Sequence, residues 1–133
     1  MHDCENEVYT RVAEVLREKF PGIDIAGTYV PAPSKFPHVS IEMTNCDTLR
    51  MLQASQTEEN FDRVVFDVNV YSNDSELKKS ICKEIVAEIN QIIFEMNFSR
   101  LYQRPVHNFE DMSIYRIVTR YRAATDGKYF YRR

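Results

Sequence analysis

Over the first twenty residues, apolar side chains recur at Val8, Val12, Val15 and Leu16, with Phe20 beyond. Glu7, Arg11, Glu14, Arg17 and Glu18 fill the positions between. This spacing predicts an amphipathic helix with one face committed to a core. Pro21 and Gly22 end it, because proline disfavours helical geometry in the residue before it and glycine accepts the turn. Short strands are expected over residues 23–30 and 38–44, separated by the turn-rich Pro31-Ala32-Pro33-Ser34. Residues 63–71 alternate without a break. Val64, Phe66, Val68 and Val70 fall on one face, and Arg63, Val65, Asp67, Asn69 and Tyr71 on the other, as a central strand requires.

A second helix follows. Asn73 and Glu76 have the offset of a capping box, and Leu77, Ile81, Ile85, Ile89, Ile92, Ile93 and Met96 form an apolar stripe behind them. Asn97 suits the left-handed residue that closes such a helix. Residues 98–105 and a loop at 107–111 lead to a strand over 113–123. There Tyr115, Ile117, Thr119 and Tyr121 share one face, and Arg116, Val118, Arg120 and Arg122 the other. Asp126-Gly127 then turns residues 129–131 back for pairing. Residues 45–62 have no such period. Asn45-Cys46-Asp47 reads as a turn, and the segment as an extended arm or hairpin carrying Leu49, Met51 and Leu52.

The expected fold is a single α+β domain over residues 1–133. Its antiparallel or mixed sheet has roughly four to five strands, with two main helices packed on one face. At 133 residues one core suffices without a staple. The three cysteines, Cys4, Cys46 and Cys82, suit free thiols in a reducing compartment. The charged first twenty residues do not read as a secretory signal, and no stretch reaches the ~20 apolar residues of a membrane span. A cytosolic protein is expected.

Charge changes the picture more than composition does. Residues 1–97 hold nine basic against seventeen acidic side chains, a balance of −8, while residues 98–133 hold eight against three, a balance of +5. Either the basic segment lies beside acidic neighbours in its own fold, or it attracts another copy or an anionic partner.

Candidate chemistry is sparse. Three glycines at 22, 27 and 127 make no phosphate-cradling loop. His2, Cys4, His38, Cys46, Cys82 and His107 lack the close pairs that zinc ligands adopt. Cys82 reads as a buried inert thiol, and Cys46 sits near Asp47, which disfavours a thiolate. The acid pairs Glu58-Glu59 and Glu110-Asp111 read as solvated. No nucleophile, base and orienting group stand together, so neither an enzyme nor a cofactor is expected. Arg116, Arg120 and Arg122 remain, on one strand face. Tyr115 and Tyr121 point away from them, which favours cross-strand pairing with acids such as Asp67, or contacts with a neighbouring subunit, over a nucleic-acid platform.

Four motifs in succession carry a family resemblance. They are Phe36-Pro37-His38-Val39-Ser40-Ile41-Glu42, Phe66-Asp67-Val68-Asn69-Val70-Tyr71-Ser72, Met96-Asn97-Phe98-Ser99-Arg100 and Arg116-Ile117-Val118-Thr119-Arg120-Tyr121-Arg122. Together they resemble the tail terminator, or tail completion, proteins of long-tailed bacteriophages, over nearly the whole chain. Asn97 stands where that family often has glycine, and both residues accept the helix-closing geometry.

The resemblance implies a hexameric ring on the head-proximal end of the tail tube, assembled in the bacterial host cytoplasm. It would stop tube polymerisation and meet the connector at the head's neck, with DNA passing through its lumen without sequence-specific binding. A chain of this length has a radius of gyration of about 14 Å, so six copies leave an opening of roughly 36 Å, wide enough for a duplex. Under this reading Arg116, Arg120 and Arg122 help close the ring, and Leu49, Met51 and Leu52 reach a neighbour or the tube. Two alternatives stay open: another phage neck or tube component, and a small-ligand or regulatory binding domain unrelated to phages.

Overall fold

A computed structural model of the chain describes residues 4–30, 33–48, 62–74, 76–107, 113–126 and 128–131. In chain order the elements are α1 (Glu5–Lys19), β1 (Asp24–Ala26), β2 (His38–Thr48), β3 (Asp62–Ser72), α2 (Lys78–Glu95), β4 (Ser99–His107), β5 (Tyr115–Thr125) and β6 (Phe130–Tyr131). The expected α+β class is what forms. The sheet has six strands in the order β1-β2-β3-β5-β4, with β6 on the end of β5. Only β1 and β2 pair in parallel, so the sheet is mixed. The count exceeds the expected four to five because Ser99–His107, whose alternation is broken by a register shift between Arg100 and Tyr102, forms a strand as well, whereas β1 and β6 were both expected.

Both helices lie on one face. α1 buries Val8, Val12, Ala13 and Leu16, and Phe20 N–H closes its last turn on the Leu16 carbonyl at 2.8 Å. Gly22 at φ 88° then takes the reversal that a side chain would resist. α2 buries Cys82, Ile85, Val86, Ile89, Ile92 and Ile93. These meet Val39 and Ile41 of β2, Val64, Phe66, Val68 and Val70 of β3, and Ile117, Tyr121 and Ala123 of β5. Phe98 extends this core, edge-on to Phe66 at 5.7 Å and against Phe130 at 4.9 Å.

The two ends of α2 differ in how far pattern foretold them. At its C-terminus Asn97 takes φ 68° as expected, with Phe98 N–H bonded to the Ile93 carbonyl and Asn97 N–H to the Phe94 carbonyl. That pair of bonds is the Schellman closure. At its N-terminus the expected Asn73/Glu76 box does not form. The Asp74 carboxylate instead accepts the N–H groups of Glu76 at 3.0 Å and Leu77 at 2.8 Å. A short acidic side chain reaches the backbone two and three residues on more directly than a paired box does. The helix therefore starts later, and Leu77, expected on the buried stripe, is 56% exposed.

Three strand boundaries also move. β1 stops at Ala26, short of the expected residue 30, where the chain bends at Gly27. β2 runs on through Asn45-Cys46-Asp47, expected as a turn. Its register shifts between Met43 and Asn45, so Met43 and Cys46, three residues apart, both face the core. The bulge breaks the two-residue period and hides the strand from pattern reading. His107, expected to open a loop, is the last residue of β4. Residues 49–61, most of the expected arm, lie outside the described residues, as do 108–112.

A charged and aromatic face on the helix-free side of the sheet

The side of the sheet away from the helices is built from the alternate residues of the same strands. Register brings Asp67 of β3 opposite Arg120 of β5, Tyr71 opposite Arg116, and Val65 opposite Arg122. All three predicted arginines therefore share this face with the second alternation set of β3. The Arg120 guanidinium grips Asp67 with two bonds, Nε to Oδ1 at 2.6 Å and Nη2 to Oδ2 at 2.9 Å. This fork is the cross-strand pairing expected from sequence, and it holds the Arg120 pKa above its already high ordinary value. Arg116 donates twice to Asn69 Oδ1, at 3.0 Å and 2.7 Å, so its charge meets a neutral acceptor. Arg122 lines a hollow of about 370 Å³ together with Arg63, Arg120, Thr44, Asn45, Val65 and Leu101.

Sequence reasoning placed Tyr71 on this face and missed Tyr29 and Tyr102. Arg116 lies between the rings of Tyr29 and Tyr71, 5.3 Å and 5.4 Å from their centroids. Tyr102 of β4 takes Arg104 at 4.9 Å and Arg120 at 5.4 Å. Cation–π contacts of this kind attract a guanidinium to the ring face. Tyr71 was readable, since it alternates with Asp67 and Asn69. Tyr29 and Tyr102 were not, because one precedes β2 in the chain and the other follows a register shift between Arg100 and Tyr102. Tyr115 and Tyr121 do point to the helix side, as predicted.

Charge on the face is divided. Arg104, Arg116, Arg120 and Arg122 stand on β4 and β5, while Asp24, Glu42 and Asp47 stand on β1 and β2. The basic end of the chain thus forms one flank of the sheet. At the acidic flank His38 is buried, its Nδ1 2.8 Å from Asp24 Oδ2, and its Nε2 has no hydrogen-bond partner among the described residues. Leu49, Met51 and Leu52 lie outside the described residues, so their relation to this face is not on view. The same holds for Glu58-Glu59 and Glu110-Asp111.

Across the sheet, a groove of about 590 Å³ opens between the second half of α2 and the start of β4. Phe94, Phe98 and Ala87 give it apolar walls, and Asn90, Arg100 and Tyr121 its polar floor. Tyr121 O–H donates to Asn90 Oδ1, and Gln103 Oε1 accepts from both Asn90 Nδ2 and Arg100 Nη1 at 2.9 Å. Burial pushes the Tyr121 phenol up to about 12. Cys82 donates to the carbonyls of Val70 and Tyr115, and burial pushes its thiol to about 12 as well, so it is inert at neutral pH. Cys46 Sγ donates to Asp62 Oδ2 at 3.7 Å. Among the described residues no His, Cys, Asp and Glu group is arranged to hold a metal ion. Among the described residues no helix is long and apolar enough to cross a membrane.

Compared with protein-family models and with curated proteins, the chain matches none.

Proposed function

We propose that the chain is a structural subunit of a long-tailed phage, forming a ring on the head-proximal end of the tail tube. There it ends tube polymerisation and joins the tail to the neck. The observation that supports this most is the division of charge across one sheet, arginines on the β4–β5 side and carboxylates on the β1–β2 side. Opposite charges on different surfaces of identical copies favour head-to-tail contacts, which close into rings when the rotation allows. The α+β build with both helices on one face agrees with what the motif resemblance implies. Arg116, Arg120 and Arg122 help to close the ring in this reading. Leu49, Met51 and Leu52 reach the tube or the next copy, and DNA passes the lumen without being read.

Light scattering over a concentration series, followed by negative-stain imaging, tests the proposal. A closed species of about six copies is expected. Open-ended tubes would move the assignment to a tube component, and a monomer that also fails to bind purified tail tubes would reject both. Replacing Arg116 and Arg120 by Glu should weaken assembly or tail joining, and unchanged phage complementation would remove their role.

The α2–β4 groove supports a second reading, a binding module for a small molecule. Its volume lies within the usual range for such sites, and Arg100, Asn90 and Tyr121 converge on an apolar wall. A thermal shift on a panel of aromatic carboxylates, abolished by Arg100→Ala, would favour it over the ring.

A further inference from the structure

The two ends of the sheet are unequal in cover. β4 pairs only with β5, and β1 covers β2 only at His38, Val39 and Ser40. Residues 41–48 of β2 therefore have no strand outside them among the described residues. Register across the sheet gives the relative heights. Arg100 is level with Met43 through Tyr121 and Phe66, Tyr102 with Glu42 through Arg120 and Asp67, and Gln103 with Ile41 through Thr119 and Val68. Arg104 is level with Ser40, where β1 begins its cover, and Pro105, which has no N–H to offer, lies below it. The open stretch of one edge thus stands at the same height as the open stretch of the other.

Direction agrees. β2, β3, β5 and β4 alternate, so β4 runs opposite to β2. Copies related by rotation about an axis along the strands bring these two edges together antiparallel.

Charge agrees too. β4 carries Arg100 and Arg104 and no acid, while the open part of β2 carries Glu42 and Asp47 and no base. Arg100 bonds only the neutral Gln103, Arg104 touches the Tyr102 ring, and Glu42 makes no ion pair among the described residues. Asp47 has only a long contact, 3.7 Å, to Arg63. Each edge also carries a bulge, with Leu101 43% exposed on β4 and Thr44 exposed on β2. Glu5 Oε2 already takes the Met43 N–H at 2.9 Å. Such blunting suppresses indiscriminate strand addition and leaves a short contact selected by side chains.

We infer that the Ser99–Gln103 stretch of β4 in one copy docks antiparallel on the open edge of β2 in the next. Arg104, just past the end of that stretch and level with Ser40, then stands one same-face position from Glu42 on the helix-free side, and the sheet continues from copy to copy. This rests on the ring reading above and names the contact that closes it.

Disulfide trapping on the full chain tests it. Leu101→Cys and Thr44→Cys are combined in a Cys4→Ser, Cys46→Ser background, because Cys4 stands next to the Glu5 that bonds Met43 N–H. Within one copy these positions are three strand spacings apart, roughly 14 Å, too far for an internal bond, so any link joins two copies. Mild oxidation should give a ladder on denaturing gels that ends at the ring size. In parallel, Arg104→Glu should weaken self-association about tenfold, and adding Glu42→Lys should restore it.

No cross-link in protein that scattering shows to be associated would overturn this contact and leave the ring reading standing. A ladder that never closes would uphold the contact and remove the ring. Failure of the wild type to associate at any concentration, and on tail tubes, would end both.

Discussion

Two faces of one sheet are stabilised by different physics. On the helix side, Val64, Phe66, Val68 and Val70 are fully buried against α1 and α2, and their contacts are apolar and without direction. On the other side the intervening residues of the same strand are held one at a time: Asp67 by Arg120, and Asn69 by an Arg116 that lies between two tyrosine rings. The first face depends on volume and area, so shape-conserving exchanges should be tolerated. The second depends on which partner stands opposite, so even a conservative change such as Arg to Lys removes a fork or a stack. A surface meant to recognise something is expected to look like the second.

The sharpest way to break this contrast is to truncate one residue from each face at adjacent positions of β3. Phe66→Ala removes a ring with no solvent exposure that packs edge-on to Phe98, and should cost about 3–5 kcal/mol in urea unfolding. Asp67→Ala should cost about 1–2 kcal/mol, because Arg120 is 39% exposed and water can take over its donors. If the second change cost as much as the first, the open side would be core in all but name, and the division of roles would fail.

The same contrast explains what was readable beforehand. The helix side follows from periodicity in one strand or helix at a time, which is why α1, β3, β5 and the Asn97 closure were all foreseen. The open side is a product of register between strands, and periodicity says nothing about which residue will stand opposite which. A pairing of the arginine face with Asp67 was foreseen because opposite charges at central strand positions seek each other, but only register picks Arg120 from the three arginines. Tyr29 and Tyr102 entered unannounced, one from the chain ahead of β2 and one beyond a bulge. Bulges did the most damage, since the shift between Met43 and Asn45 turned a continuous strand into an apparent turn. At the start of α2, Asp74 was passed over for Asn73, because a capping box and an aspartate turn have nearly the same sequence signal.

A smaller effect sharpens the account of the open face. In a double-mutant cycle, Asn69→Ala and Arg116→Ala should couple by about 1 kcal/mol, reflecting two donor bonds to one neutral oxygen. Coupling near zero would mean that the Tyr29 and Tyr71 rings alone hold Arg116. Retention of the coupling after Tyr29→Ala would show that the amide suffices.

The smallest expected effect belongs to neither face but to the turns that frame them. Asp74 accepts the N–H groups of Leu77 and Glu76, and Asp126 those of Tyr129 and Lys128. These bonds hold both carboxyls below their ordinary value of 3.8. In the folded chain the charged form is favoured, so as pH falls through 3.8 the unfolded chain takes up protons first. The stabilisation from each turn is therefore complete above that value and is lost as pH drops through the lowered folded value. Asn at either position keeps the accepting oxygen and removes the charge. The double variant Asp74→Asn with Asp126→Asn should thus show a urea midpoint slightly below the wild type's near neutrality that falls less steeply below about pH 4, so that the two profiles converge in acid. Parallel acid profiles would assign the acid sensitivity to groups outside the turns, and the charged open face would then be the place to look.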